Sequence, residues 1–226
     1  NAESQAILWH TAQLVRAGIV EKCTSSWCSS VLLVPKKSYT PGDVETGVRF
    51  VVDYRNVNAI SNISANNKMI PRISQVLASF AGTKLWSQSD LSSGYWQLPL
   101  AKSSRDKTAY VTKEGVYRFT RCSMGLANSG GYFVQALHDI LKNTTAIAYA
   151  DDIVFPTRPK PGQNLEMQHL SELRRCFKRF ASVDLQLSAK KTELFKRRID
   201  FLSHTITPEG IRPCKSKCES IAALPP

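Results

Sequence analysis

The sequence predicts an α+β fold in which antiparallel hairpins and amphipathic helices are mixed along one chain. Pairs of β-rich runs flank short turn signals at several places, which is typical of hairpins. Apolar residues recur at helical spacing in four other stretches, within residues 3–17, 71–82, 132–141 and 170–180. With 226 residues and 42% hydrophobic content, the chain can bury one large core or the cores of two intertwined subdomains.

The first elements are a helix and a basic hairpin. Residues 3–17 have helical periodicity, and Gly18 is placed as a C-terminal stop. The runs 29–35 and 48–54 flank a Pro-Gly turn signal, which indicates a hairpin with a polar, basic tip; its plain alternative is a solvated edge hairpin. The polar, Asn-rich residues 55–67 are interpreted as a connector.

A second helix and a strand follow. Pro71 is suited to the first turn of a helix that Gly82 ends, and residues 84–89 form a strand that delivers Asp90 at its end. The plain role of Asp90 is that of a helix N-cap. A sharper role depends on where this strand lies relative to the acidic stretch farther along the chain.

A second hairpin, a helix and an acidic turn occupy the middle of the chain. The runs 108–111 and 116–120 meet at a Glu-Gly turn, and the helix predicted within 132–141 should pack under the acidic hairpin that follows. There, the strands 145–150 and 153–155 flank Asp151 and Asp152. Adjacent carboxylates at a hairpin tip can hold hard cations such as Mg²⁺, but Asp is also a common turn former.

The last elements are a loop, a helix and short strands. Residues 156–163 are rich in Pro and basic residues and predict a loop. An apolar stripe within 170–180 predicts a core-facing helix whose Arg and Lys residues form a solvated face. The runs 193–195, 199–202 and 204–207 predict short strands, with a Glu-Gly turn after the last of them.

The charge of the chain points to an anionic partner. It carries 30 Lys and Arg against 18 Asp and Glu, which gives a net charge of +12 and a pI of about 9.6. Nucleic acid is the first candidate and a membrane surface the second. No window approaches the roughly 18 apolar residues that span a bilayer, and no signal-peptide pattern precedes the first helix, so we do not expect the protein to span a membrane.

The six cysteines favour free thiols in a reducing compartment. The pairs Cys23/Cys28 and Cys214/Cys218 could be interpreted as metal-ligand spacing, but zinc sites usually have tighter, paired C-x₂-C units, and the four histidines do not complete one. The chain opens on Asn1 and stops inside a continuing pattern, so we expect it to be a piece of a longer protein.

An ordered series of short motifs runs along nearly the whole chain. In sequence order they are Ala17-Gly18-Ile19-Val20-Glu21, Ser26-Trp27-Cys28-Ser29-Ser30-Val31, Arg49, Val52-Asp53-Tyr54-Arg55-Asn56-Val57-Asn58, Pro71-Arg72-Ile73, Ser89-Asp90-Leu91-Ser92-Ser93-Gly94-Tyr95-Trp96-Gln97, Lys107-Thr108-Ala109-Tyr110, Met124-Gly125-Leu126-Ala127-Asn128, Tyr149-Ala150-Asp151-Asp152, Lys190-Lys191 and Phe201-Leu202-Ser203-His204. In this order they resemble the fingers and palm of a reverse transcriptase, most closely of the gypsy-type long-terminal-repeat retrotransposons.

The resemblance implies a right-hand polymerase with a ferredoxin-like antiparallel palm sheet backed by helices. Its implied divisions are fingers at 1–65 and 98–127, palm at 66–97 and 128–211, and the start of a truncated thumb at 212–226. The thumb and a ribonuclease H region are expected in the longer polyprotein. The implied location is cytoplasmic, within a retroelement particle and not secreted.

The resemblance also implies a catalytic, metal-binding cluster of Asp90, Asp151 and Asp152, with Asp152 more peripheral. Two Mg²⁺ ions, for which Mn²⁺ can substitute, would activate the primer 3′-hydroxyl and stabilise the triphosphate and the leaving pyrophosphate. Three carboxylates packed together repel one another, and divalent cations relieve that cost. The implied partners are an RNA or DNA template with its primer and deoxynucleoside triphosphates.

Further site residues follow from the same resemblance. For the nucleotide they are Lys36, Lys37, Arg49, Tyr95, Met124, Gly125 and Lys190, and for the primer and template Tyr149, Phe201, Leu202, Ser203 and His204. Lys37 is favoured over Lys36 as the triphosphate contact. Tyr95 is implied to exclude a ribose 2′-hydroxyl, although taken alone it would be interpreted as a core aromatic residue. Lys190 is the implied proton donor to pyrophosphate.

Two departures from the family pattern concern efficiency rather than fold. Ser129-Gly130-Gly131 stands where relatives commonly have Ala-Pro-Ala, which predicts a looser start of the following helix, and Ser203 stands where Gly is usual.

Two other functions are alternatives to the predicted RNA-directed DNA polymerase. One is a catalytically inactive or co-opted fragment that binds nucleic acid, which the three intact aspartates disfavour. The other is an RNA-directed RNA polymerase, which the bulky Tyr95 and the absence of Gly before the Asp pair disfavour.

Overall fold

A computed structural model describes residues 2–36, 38–40, 42–43, 45–63 and 71–223 of the chain. The chain folds into two compact units that are interleaved in sequence. The first consists of Asn1–Lys68 and Ser93–Phe133, and the second of Met69–Ser92 and Val134–Pro226. The names and boundaries of fingers, palm and thumb stay predictions. Within the described residues, no helix is long and apolar enough to span a membrane.

The first unit contains two small antiparallel sheets and several short helices. Its elements are α1 (Ala2–Arg16), β1 (Val20–Lys22), β2 (Val31–Pro35), β3 (Val48–Val52), α2 (Arg55–Ala59), α4 (Gly94–Gln97), α5 (Lys102–Arg105), β5 (Tyr110–Thr112), β6 (Gly115–Phe119) and the first turn of α6 (Ser129–Leu141). The strands pair as β2-β3 and as β1-β6-β5. Both hairpins predicted for this part of the sequence are therefore present.

Aromatic and β-branched side chains form the core of the first unit. Tyr54, Tyr110 and Phe119 are buried at its centre, where Leu14 of α1 closes one side. The interpretation of 55–67 as a connector is wrong for its first residues, which form α2. Val57 explains the difference, because burying this one side chain anchors a short helix whose polar sequence has little helical signal.

The second unit is built on a four-stranded antiparallel sheet. Its elements are α3 (Ile73–Ala78), β4 (Leu85–Asp90), the rest of α6, β7 (Ile147–Tyr149), β8 (Asp152–Thr157), α7 (Leu165–Ala181), β9 (Glu193–Lys196), β10 (Ile199–Phe201), β11 (His204–Thr207), β12 (Gly210–Pro213) and α8 (Lys215–Ala222). The strand order is β7-β8-β4-β9, and the chain order β4-α6-β7-β8-α7-β9 makes this a ferredoxin-like sheet. The predicted α+β class is confirmed.

The central strands β4 and β8 are the most deeply buried part of this sheet. Trp86, Ile153 and Val154 have essentially no exposed surface, and α7 packs against both strands. The predicted loop at Pro156 is wrong, because β8 continues to Thr157 and Pro156 pairs with Trp86. The strand tolerates this proline because β7 pairs with β8 only as far as Val154.

Smaller corrections concern the ends of helices. Pro71 lies before the N-cap Arg72 of α3 instead of in its first turn. Asp90 is not an N-cap either, since Ser93 occupies that position before α4. The helix α6 begins at Ser129, whose hydroxyl donates to the Ser123 carbonyl at 2.6 Å.

A buried histidine ties four elements of the second unit together. His169 of α7 is fully buried, and its Nε2 and Nδ1 lie 2.7 Å and 2.8 Å from the hydroxyls of Ser87 on β4 and Thr157 on β8. The Ser87 hydroxyl also accepts from the Phe195 amide of β9 at 3.1 Å. Burial lowers the pKa of His169 from 6.5 to about 4, so the ring is neutral at pH 7.

This pKa predicts a specific pH dependence of stability. Between pH 6.5 and 4 the unfolded state binds more protons at His169 than the folded state, so the free energy of unfolding should fall as the pH falls. The loss should approach about 3 kcal/mol by pH 4. His169→Gln lacks this component, although it lowers stability at pH 7 by breaking a hydrogen bond.

Denaturant unfolding of both proteins from pH 4 to 7.5 tests the prediction. The carboxylates titrate in both and cancel in the comparison. Parallel pH profiles for wild type and variant would contradict it.

Candidate active site

The acidic hairpin places two carboxylates at one end of the strands of the second unit's sheet. Tyr149 pairs with Asp152, so Ala150 and Asp151 form a two-residue turn between β7 and β8. Ala150 has a φ of 51°, in the left-handed region that turns of this length require and that Gly adopts more cheaply. The tight turn brings the Asp151 and Asp152 carboxyl groups close together.

The third carboxylate arrives from the neighbouring strand. Asp90 is the last residue of β4 and lies directly opposite Asp152 in the register of β4 and β8. Next to it, the Leu91 amide donates to the Asp151 carbonyl at 2.8 Å, which ties the end of β4 to the hairpin turn. The structure thus brings together Asp90, Asp151 and Asp152, which the sequence separates by about sixty residues.

The pKa values of these three carboxyl groups are shifted in different directions. Partial burial, a hydrogen bond with Asp90 and the charge of Asp151 raise the pKa of Asp152 to about 6. Burial also raises the pKa of Asp151, with a further contribution from the charge of Asp90. The pKa of Asp90 is lowered, because hydrogen bonds from Lys191 and Asp152 outweigh its burial.

The donor set fits a divalent cation in one respect. The Oδ1 atom of Asp151 is buried and, among the described residues, has no hydrogen-bond partner, which is costly for a carboxylate unless a cation accompanies it. Within the described part of the chain, however, no three His, Cys, Asp or Glu side chains are grouped as a formed metal centre. The three-carboxylate metal cluster therefore stays a prediction.

A lysine that the sequence analysis gave no role contacts this site. Lys191 forms an ion pair with Asp90, whereas the predicted proton donor Lys190 is an exposed residue of the same short turn. The ion pair raises the pKa of Lys191. Tandem lysines are visible in the sequence, but only the 3₁₀ turn at Ala189–Lys191 decides which of them faces the carboxylates.

The predicted primer-holding segment is the tight turn between β10 and β11. Phe201 is buried and pairs with His204, while Leu202 and Ser203 between them have φ values of 50° and 60°. Ser203 therefore adopts a left-handed conformation in the position where relatives usually have Gly, at a cost of about 1 kcal/mol. The Leu202 carbonyl oxygen accepts a hydrogen bond from His204 Nδ1 at 2.7 Å, which stabilises the turn.

The predicted triphosphate contacts lie in the first unit. Lys36 donates from Nζ to the Thr46 carbonyl at 2.6 Å, across the β2-β3 hairpin. Arg49 is exposed on β3, opposite Val34. Lys37 lies outside the described residues, so the choice between Lys36 and Lys37 stays open.

The remaining predicted nucleotide residues also lie in the first unit. Tyr95 is half-buried and stacks on Phe133, with ring centroids 4.6 Å apart and an interplanar angle of 16°. Met124 is 51% exposed, and Gly125 has a φ of 90°. Sequence reasoning missed Asn58, whose amide donates to the Gly125 carbonyl at 2.9 Å and accepts from the Ala127 amide at 2.8 Å.

Comparisons with known proteins agree in one family. The model of the family described as reverse transcriptase (RNA-dependent DNA polymerase) matches residues 34–206. The chain is 31% identical over 228 residues to the retrovirus-related Pol polyprotein from transposon 412 of Drosophila melanogaster, covering all of this chain and 18% of that protein. It is 29% identical over 216 residues to the corresponding polyprotein from transposon 297 of the same organism, covering 94% and 20%. The chain thus spans about a fifth of these curated relatives.

Solved structures of foamy viral protease-reverse transcriptase are similar to this chain. The complex with double-stranded DNA matches with a TM-score of 0.81 and 28% identity, over 98% of this chain and 44% of that one. The complex with an RNA/DNA hybrid matches with a TM-score of 0.80 and 27% identity, over 96% and 27%.

The strained turn gives a testable prediction about stability. Ala150→Gly should raise the free energy of unfolding by up to about 1 kcal/mol, because Gly adopts a positive φ without the steric cost that Ala carries. The matched control is Ala148→Gly, two residues earlier in β7, which should be destabilising by about 0.5 to 1 kcal/mol. Urea denaturation measures both; equal destabilisation by the two changes would show that the turn is not strained.

Proposed function

The chain belongs to the reverse transcriptase (RNA-dependent DNA polymerase) family, and we propose that it is the fingers and palm of an RNA-directed DNA polymerase from a gypsy-type retrotransposon polyprotein. The observation that carries the proposal is the meeting of Asp90, from the end of β4, with Asp151 and Asp152 of the acidic hairpin. The substrates we propose are a primed RNA or DNA template and deoxynucleoside triphosphates.

The family generally uses divalent metal ions, and the three carboxylates are the residues that would hold them here. When bound, Mg²⁺ or Mn²⁺ supplies Lewis-acid activation of the primer hydroxyl and neutralises charge on the triphosphate. Asp90 and Asp151 would supply most of the carboxylate oxygens, and Asp152 would be peripheral. The hydrogen bond from Leu91 to the Asp151 carbonyl keeps these groups in register with one another.

The other predicted residues bind and orient the substrates. Arg49 and a lysine at 36 or 37 grip the triphosphate, for which a bidentate guanidinium is well suited. Met124 and Gly125 lie along the nucleotide and template, and Lys190 gives a proton to the leaving pyrophosphate. Tyr149 and the turn from Phe201 to His204 hold the end of the primer. Binding of a primer-template agrees with the nucleic acids in the foamy viral complexes.

Tyr95 selects the sugar of the incoming nucleotide. Its ring is held by stacking on Phe133, so it presents a fixed wall. A 2′-hydroxyl would collide with that wall, which makes deoxynucleotides the substrate. This argument also disfavours an RNA-directed RNA polymerase.

Primer extension tests the polymerase proposal. The protein, extended through its thumb, should elongate a DNA primer on RNA with Mg²⁺ and deoxynucleotides, and Asp151→Asn should lower the rate at least about 10³-fold by removing a metal-holding charge. Asp184→Asn, at an exposed carboxylate after α7, is the matched control and should keep wild-type activity. No extension by the wild type with Mg²⁺ or Mn²⁺ would leave only the inactive nucleic-acid-binding fragment.

Sugar selection is tested with the same assay. Tyr95→Ala should raise the use of ribonucleotides relative to deoxynucleotides by about tenfold or more, since the truncation removes the wall. The ratio of kcat/KM for the two sugars measures it. Equal use of both sugars by the wild-type protein would refute the role of Tyr95.

A further inference from the structure

Lys191 lies beside the three carboxylates on which the proposed function depends. Its ammonium pairs with Asp90 Oδ2, and it also interacts electrostatically with Asp151 and Asp152. The Lys191 side chain is 66% exposed, compared with 25% for Asp90. A single cation therefore faces all three carboxylates from the solvent side.

The backbone beneath Lys191 is anchored to the same strand that carries Asp90. The Ser188 amide donates to the Asp90 carbonyl at 2.8 Å, and the hydroxyls of Thr192 and Ser89 are 2.8 Å apart. Thr192 also donates to the Ser188 carbonyl at 2.8 Å, which closes the turn. The base of the lysine is thus fixed at both ends of the turn, while its four-carbon stem extends toward solvent and can take other rotamers.

Asp90 cannot hold its present ion pair with the Lys191 ammonium and bind a divalent cation through the same oxygen. Asp90 Oδ2, which accepts from Lys191, is one of the two oxygens that Asp90 could offer a metal ion, and two cations at one oxygen repel each other. A cavity of about 100 Å³ borders Asp90, Asp152 and Lys191, which leaves room for the lysine head to change position.

We propose that Lys191 is an internal counter-ion that neutralises the carboxylate cluster in the metal-free protein and leaves Asp90 when a divalent cation binds. The inference rests on the proposed function, since it concerns the same metal-holding residues. Lys191 lowers the affinity for free metal ions and keeps the three carboxylates from repelling one another before the metal arrives. It acts through Asp90 and is a positioning residue in this role.

Metal affinity is the direct readout. In the protein extended through its thumb, without primer or nucleotide, Lys191→Met should bind Mn²⁺ about three- to fivefold more tightly than wild type, the range of an exposed ion pair. Electron paramagnetic resonance of free Mn²⁺ measures this without any turnover. Lys191→Arg keeps the charge and should restore an affinity near that of the wild type.

Lys190→Met is the matched control, because it removes the same charge from the neighbouring residue. Its Mn²⁺ affinity should stay within twofold of wild type. Thermal unfolding gives a second readout: Lys191→Met should lower the midpoint in chelator, and saturating Mn²⁺ should raise it by more than in wild type. A merely structural lysine would lower the midpoint equally with and without metal.

Several outcomes would overturn the counter-ion role. These are an unchanged or weaker Mn²⁺ affinity of Lys191→Met, or an equal gain in Lys190→Met, which would reduce the effect to net charge. If the wild type extends primers but either result is found, only the counter-ion fails. If the wild type neither extends primers nor binds Mn²⁺, the proposed polymerase function fails with it.

Discussion

Repulsion between carboxylates is the constraint on which the second unit depends. The register of two strands and a tight turn hold the backbones of Asp90, Asp151 and Asp152 next to one another. The charges of the neighbouring carboxylates add to burial in raising the pKa values of Asp151 and Asp152, which is the cost of holding the groups together. In the protein alone it is met in part by Lys191 and by hydrogen bonding between Asp90 and Asp152. Carboxylates that repel one another stay close together only if the strands that carry them are rigidly packed.

The buried layer below the carboxylates provides that scaffold. β4 lies between β8 and β9 and is buried along most of its length, with Trp86 fully buried near its start. His169 joins β4 and β8 to α7 through two buried hydroxyls, and Ser87 also holds the irregular β9. These bonds lie away from the carboxylate end of the sheet and involve none of the three aspartates. In enzymes, strained and charged functional sites are commonly supported by a rigid interior.

Both turns that the proposed function uses contain non-glycine residues with a left-handed backbone, as do Ser93, Asn143, Asp184 and Phe195 elsewhere in the chain. Ala150 precedes the acidic pair, and Leu202 and Ser203 form the turn assigned to the primer; all three have positive φ without being Gly. Each such residue costs of the order of 1 kcal/mol, which the paired strands on either side offset. Tight two-residue turns of this kind place side chains more precisely than longer loops do.

The sequence by itself determined the class of fold, the hairpins and the identity of the three aspartates, because periodicity and turn residues are local signals and the motifs occur in a specific order. It did not determine α2, whose single anchor Val57 has meaning only when the core is formed, or the continuation of β8 through Pro156, which depends on how far β7 extends. It also gave a role to Lys190 and none to Lys191. Only the tertiary structure decided that Lys191 pairs with Asp90, because the choice depends on how one 3₁₀ turn is anchored to a strand about a hundred residues earlier.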